Sequence, residues 1–250
     1  MNKAMQALML SVGLGAGLPA ASAQTLIIEY RDKPPYSYTQ NGQPAGFLIE
    51  RTARLLQQAG ISAQFVEMPM RRTLMHLQAN QAPLCTPGFY KLPERARYAR
   101  YSLPIFRDRP NLVLAHEAAA TRIRTHARLD ALFADPELTP GVLDGASYGA
   151  QLDRALARTA RPAGHAQRSP LQLAQMVAAR RVDYMLIDAE DLGWLKRDPG
   201  FDGMGLAAIA FADMPPGELR YLSCSLQVSP ALMERINRAI RSLPPDAHTP

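Results

Sequence analysis

The segment from Cys85 to Arg107, CTPGFYKLPERARYARYSLPIFR, carries four arginines (Arg95, Arg97, Arg100 and Arg107) among tyrosines and prolines. Fixed positive charge at this density suits a solvated face, a nucleic-acid patch or a pocket that captures a carboxylate. A guanidinium forks onto a carboxylate through two parallel N–H···O bonds, so a single arginine can serve as the clamp. Arg95, just after Pro93-Glu94, has two roles open to it: that clamp, or a surface arginine at a helix end. Arg97, Arg100 and Arg107 read as a solvated face. Upstream, Gly88 lets backbone approach a ligand, and Tyr90 stands beside it.

A second stretch, GASYG (Gly145–Gly149), matches the G-x-S-x-G pattern of a nucleophile elbow between a strand and a helix. A hydrolase of that type needs an acid and then a histidine downstream of Ser147. His165 comes too early for that order, and His248 falls in a Pro-rich tail. The simpler reading is a hydroxyl-bearing loop, with Ser147 and Tyr148, whose backbone N–H groups face an anion. The histidines (His76, His116, His126, His165 and His248) are scattered without an i,i+4 pair, so no metal site and no cofactor is expected. A third candidate is Asp188, at the end of VDYMLID and followed by Glu190 and Asp191. It suits a ligand ammonium, or a cap on the helix that follows.

These residues must be held by elements, and the pattern supplies them. TLIIEY reads as a strand that ends at KPPYSY, with Tyr36 and Tyr38 behind Pro34-Pro35. LIERTARLLQQA places Leu48, Thr52, Leu55, Leu56 and Ala59 on one helical face, with Gly60 as the stop. ISAQFVEM, APLCT, NLVLAHE, PGVLD and VDYMLID read as strands. MRRTLMHLQAN, GAQLDRALART, SPLQLAQMVAARR, AEDLGWL and SPALMERINRAIRSL read as helices, two of them opening on Ser-Pro. Met70, Met75 and Met176 sit at core spacing. Strands alternating with helices imply an α/β fold with mainly parallel sheets. Ligands in such folds bind beyond the carboxyl ends of the strands, which here are Lys33–Tyr38, Thr86–Arg95, Gly145–Gly149 and Asp188–Asp191.

The N-terminus sets the compartment. Lys3, an apolar run to Leu18 and Ala21-Ser22-Ala23 form the three parts of a secretory leader over residues 1–23, with the mature chain starting at Gln24. No later stretch reaches the roughly 18 apolar residues of a membrane span. The charge of +6 and the apolar share of 47% suit a globular exported protein. Export and the lack of spread aromatic platforms argue against nucleic acid as a partner. Cys85 and Cys224 are the two cysteines of the chain. An oxidising compartment favours a disulfide, while two reduced, buried thiols are the alternative.

In this order the motifs resemble the periplasmic solute-binding proteins of the polar amino-acid type, family 3 of the ABC-transporter binding proteins. The matching pieces are KPPYSYTQNGQPAGFLIERTARLLQQAG, LPERARYARYSLPIF, PGVLDGASYG and RRVDYMLID, of which the Pro-Glu-Arg segment is the most specific. The resemblance implies two α/β lobes of the type II binding-protein fold with two hinge crossings. Lobe one would be residues 24–111 plus 221–250, and lobe two residues 112–220. It implies Arg95 as the carboxylate clamp, Ser147 with Tyr148 as the lobe-two contact and Asp188 for the ligand amine. It also implies Tyr36, less directly Tyr30, as an aromatic lid, and Arg72 as a further arginine. It places Cys85 and Cys224 on neighbouring strands, which supports the disulfide. The partners implied are a small amino acid or organic acid and an inner-membrane permease or sensor. A dehydratase acting on cyclic carboxylates through Asp188 or Glu190 is the enzymatic alternative. The chain departs from the family pattern at NQAPLC and PGFYK, where hydroxyls for a ligand amine are missing, and at Met70 in place of an aromatic. These departures leave room for a larger or an anionic solute.

Overall fold

The structure, a computed structural model, describes residues 25–166 and 169–243. The expected leader, the mature start at Gln24 and His248 lie outside the described residues. Among the described residues, no helix is long and apolar enough to cross a membrane.

The chain opens with β1 (Leu26–Tyr30), a hairpin of β2 (Tyr38–Gln40) and β3 (Gln43–Ala45), and α1 (Phe47–Gln58). Then come β4 (Ala63–Glu67), α2 (Met70–Ala79), β5 (Leu84–Tyr90), a 3-10 turn at Arg95–Arg97 and β6 (Ala99–Arg107). It crosses to β7 (Leu112–His116), α3 (Glu117–Thr125), α4 (Leu129–Phe133), β8 (Pro140–Leu143), α5 (Ala150–Leu156) and β9 (Gly164–Ala166). After these come α6 (Pro170–Ala178), β10 (Tyr184–Ile187), α7 (Ala189–Leu195) and β11 (Leu206–Ile209). The chain then returns through β12 (Leu219–Ser225) to α8 (Pro230–Ser242).

The strands form two five-stranded sheets, ordered β4-β1-β5-β12-β6 and β11-β7-β10-β8-β9. Each belongs to one lobe of a two-lobed α/β architecture. The sheets are less parallel than the strand–helix alternation predicts. β1 runs parallel to β4 and β5, and β8 to β9 and β10, but β12 is antiparallel to both β5 and β6, and β7 to both β10 and β11. The reason is the double crossing. β6 leads out of the first lobe and β12 leads back in, so the two lie side by side in opposite directions.

The helices form where the sequence signals place them. Gly46 precedes α1 with φ +106°, and a side chain there would collide with the Tyr36 carbonyl, so only glycine fits. Leu48, Leu55 and Leu56 of α1 meet Ile236, Ala239 and Ile240 of α8 in the first-lobe core, over Leu26 and Ile28 of β1. Ser229 and Ser169 cap α8 and α6 by accepting from the Leu232 and Gln172 N–H groups. The second lobe has apolar layers on both faces of its sheet, around Val113, Ile123 and Leu132 on one and Leu114, Leu173 and Met185 on the other. Met70 and Met176 pack on core edges, but Met75 is 65% exposed. α2 buries Thr73 and Leu77, and Met75 lies on its opposite face.

Cys85 and Cys224 are directly opposite on β5 and β12 and are joined by a disulfide. Where the chain crosses between lobes, the Asp108 N–H donates to the Glu218 carbonyl at 2.9 Å. A methyl group on Gly217 would overlap the Asp108 carbonyl, so the two hinge segments are in backbone contact.

Candidate functional site

A cavity of about 730 Å³ lies between the lobes. The first lobe lines it with the residues after β1, the end of β5 and Arg95, and the returning crossing adds Arg220 at the start of β12. The second lobe lines it with the loop after β8, the first turn of α6, the end of β10 and one side of α7. Strand ends therefore do form the site. β5 runs further than predicted, because its pairing with β12 continues to Tyr90↔Arg220 across a bulge. Gly88 and Tyr90 thus sit in the strand itself. Gly88 has φ +87°, and a Cβ there would press on Leu48 at 2.7 Å.

The most constrained group is Arg220, which the sequence reading missed. It is 3% exposed at the start of β12. Its Nε donates to Asp108 at 2.6 Å, Nη1 to the Gly88 carbonyl at 2.9 Å and Nη2 to the Tyr90 hydroxyl at 3.1 Å. The guanidinium also lies 4.2 Å from the Tyr36 ring centre and 4.7 Å from that of Tyr90. Burial works against its charge, but Tyr90, Tyr36 and Asp108 outweigh that and hold it protonated. Asp108 in turn accepts from Tyr90 at 2.7 Å and Tyr36 at 3.3 Å. A charged residue opening an apolar strand was the one signal that could have pointed to Arg220.

The second cluster joins the lobes. The Lys33 ammonium donates to both oxygens of Asp191 at 2.8 Å and lies 3.6 Å from Asp188 and 4.0 Å from the Tyr36 ring centre. Burial pushes the Asp191 carboxyl up to about 6; Lys33 opposes this and the Asp188 charge adds to it. Burial also acts to raise Asp188, but Lys33 and Arg220 leave it lowered. Beside this clasp, Arg109 of the hinge pairs with Glu190 at 2.8 Å, and Tyr38 packs on Trp194 of α7 with centres 5.4 Å apart.

Two guanidiniums on the first-lobe wall are differently placed. Arg95 lies 5.2 Å from the Phe89 ring centre, and the Arg31 Nη1 donates to the Met70 sulfur at 3.1 Å. Among the described residues, no carboxylate lies within ion-pair distance of either. Burial lowers Arg31 to about 10, and the neighbouring Arg220 charge lowers it further while Asp191 opposes.

Of the residues singled out from sequence, Arg95, Gly88, Tyr90, Ser147, Tyr148 and Asp188 all reach the cavity wall. Several are already engaged. The Ser147 hydroxyl donates to Asp153 at 2.6 Å and accepts from the Gly149 N–H at 3.2 Å. No histidine stands among its hydrogen-bond partners in the described residues, so the serine–histidine pair that a hydrolase needs is not assembled there. Tyr148 accepts from the Leu143 N–H at 3.1 Å and packs on the second-lobe core. Asp188 caps α7 by accepting from the Asp191 N–H at 2.7 Å while also facing the cavity. Two expected residues are elsewhere. Tyr36 is 1% exposed in the first-lobe core, against Phe47 and Phe106, because the turn after β1 folds it inward. Arg72 is exposed on α2, whose buried face runs through Thr73 and Leu77. Tyr30 is buried and shares a hydrogen bond with Thr39. Glu190 faces Arg109 rather than the cavity wall. Of the remaining arginines in the run, Arg97 and Arg107 are exposed and Arg100 is half-buried.

No curated protein sequence matches the chain. Solved structures match its fold. The arginine-, lysine-, histidine-binding protein ArtJ of Geobacillus stearothermophilus superposes with a TM-score of 0.66 at 16% identity, covering 87% of this chain and 88% of its own. A histidine kinase sensor domain with similarity to periplasmic binding proteins gives 0.65 at 19% identity, covering 87% and 89%. An ancestral amino-acid-binding protein, a precursor of cyclohexadienyl dehydratase, gives 0.65 at 18% identity, covering 87% and 88%. The model of the bacterial extracellular solute-binding proteins, family 3, matches residues 26–248, and the chain belongs to that family.

Proposed function

We propose that this protein binds a small, polar, carboxylate-bearing solute in the periplasm, by closing lobe one (residues 24–111 plus 221–250) against lobe two (residues 112–220), and passes it to an inner-membrane ABC-type permease. The observation that carries this reading is the pair Arg31 and Arg95, two guanidiniums on the wall of the cavity between the lobes with no carboxylate partner among the described residues. Desolvated guanidinium seeks a carboxylate, and its planar fork suits one. Closure brings the second-lobe loop Gly145–Tyr148 over the same space and excludes water, which strengthens the contact. Asp188 and Asp191 give the opposite wall its negative charge.

Trp194 is the sole tryptophan of the chain and lines the cavity. Its fluorescence therefore reports occupancy. Titration with a panel of amino acids and organic acids should give saturable changes for carboxylates and none for matched neutral amides. Arg95→Ala should weaken the best ligand by about 2 kcal/mol or more, roughly 30-fold. Unchanged affinity in that variant would refute the assignment of Arg95.

A further inference from the structure

The cavity is electrically lopsided in a way that bears on its ligand. A zwitterionic amino acid needs an anion site and a cation site. The cation site on the second-lobe wall is already filled by the protein. Lys33 reaches across from the first lobe and gives its ammonium to both oxygens of Asp191, with Asp188 next to it. The remaining Asp188 oxygen accepts from the Asp191 N–H. The three side chains are only 18, 9 and 12% exposed, so an incoming ammonium would have to displace a desolvated charge rather than bulk water. Of the other acids at the cavity, Asp144 meets His165 at 2.7 Å and Asp198 accepts from the Gly200 N–H at 2.8 Å, while Asp32 is exposed to solvent at the first-lobe edge.

The cations are not all satisfied in return. Arg220 is held by Asp108, the Gly88 carbonyl and Tyr90. Among the described residues, Arg31 and Arg95 have only a thioether and an aromatic ring as side-chain partners, and the Arg95 charge acts on Arg31. What the first-lobe wall lacks, among the described residues, is an anion within ion-pair distance of Arg31 and Arg95; its one acid, Asp32, pairs with neither. We infer that Lys33 stands in for the ammonium of an amino-acid ligand, so that the cavity takes a small organic acid without an amino group, its carboxylate set against Arg31 and Arg95. This inference rests on the carboxylate reading above and narrows it.

The test compares matched pairs on the purified mature protein by Trp194 fluorescence and calorimetry: succinate with aspartate, glutarate with glutamate, and lactate with alanine. In each pair that binds, the acid lacking the amino group is expected to bind at least tenfold more tightly. Lys33→Met should shrink or reverse that ratio by at least tenfold, because the vacated acids can then hold a ligand ammonium. If the variant does not fold, the wild-type ratio decides alone. An amino acid that binds as tightly as its partner, or more tightly, overturns the inference and leaves the carboxylate reading standing. If no member of any pair binds, or if Arg95→Ala binds the best acid unchanged, the carboxylate reading falls and this inference with it.

Discussion

Replacing Asp108 with asparagine tests the hinge network most directly. The substitution keeps the shape of the side chain and removes its charge. Asp108 is 4% exposed and is the sole ion-pair partner of Arg220 among the described residues, at 2.6 Å. Tyr36 and Tyr90 also spend their hydroxyl protons on it. Breaking a buried pair from one side leaves the other charge uncompensated, which costs about 3–5 kcal/mol. For a chain of this size, each kcal/mol lowers the melting point by roughly 2–4 °C, so the expected drop is about 6–20 °C. The assay is thermal and urea unfolding of the ligand-free protein in a buffer without carboxylates, since Arg220 faces the cavity and an added anion would stand in for Asp108. Arg220→Met should cost a similar amount. The double variant should recover most of the loss, because it removes both charges. A change of less than about 2 °C in Asp108→Asn, or a double variant as damaged as the sum of the singles, would refute the reasoning.

Other outcomes follow from the same structure. Removing the Cys85–Cys224 bond with a double alanine variant should lower stability by about 2–5 kcal/mol in urea unfolding, because it ties residues 139 apart in sequence. Asp135 is held well below the usual carboxylate range by Arg122, at 2.7 and 2.8 Å, with burial opposing and the Glu137 N–H and His126 adding support. A lowered folded-state value means its contribution is complete above about pH 4 and fades as pH falls further. The stability gap between wild type and Asp135→Asn should therefore be full at pH 7 and shrink at pH 3. Gly217→Ala must push the hinge segments apart at the Asp108 carbonyl. It should weaken ligand binding by lobe closure even where the melting point holds, and equal affinity in a Trp194 titration would count against a rigid hinge contact there.

Much of this protein could be read along the chain. Amphipathic periods and Ser-Pro starts located α1, α6 and α8, since those signals are local and lie within one turn of each helix. The α/β class located the cavity at the strand ends, and six of the eight expected ligand residues reached its wall. Tyr36 and Arg72 lie off that wall for a local reason that spacing does not reveal: a turn folded one inward, and helical phase turned the other out. Tertiary structure decided the electrostatics. Lys33 meets Asp191 across 158 positions and Arg220 meets Asp108 across 112, and no pattern in one sequence signals pairs so distant. Each of these residues alone looks like an ordinary surface charge. Only the folding of two lobes around one space, with water excluded, makes Arg220 and Lys33 satisfied and leaves Arg31 and Arg95 in want of an anion, because a charge's energy depends on what is brought near it and how much water is taken away.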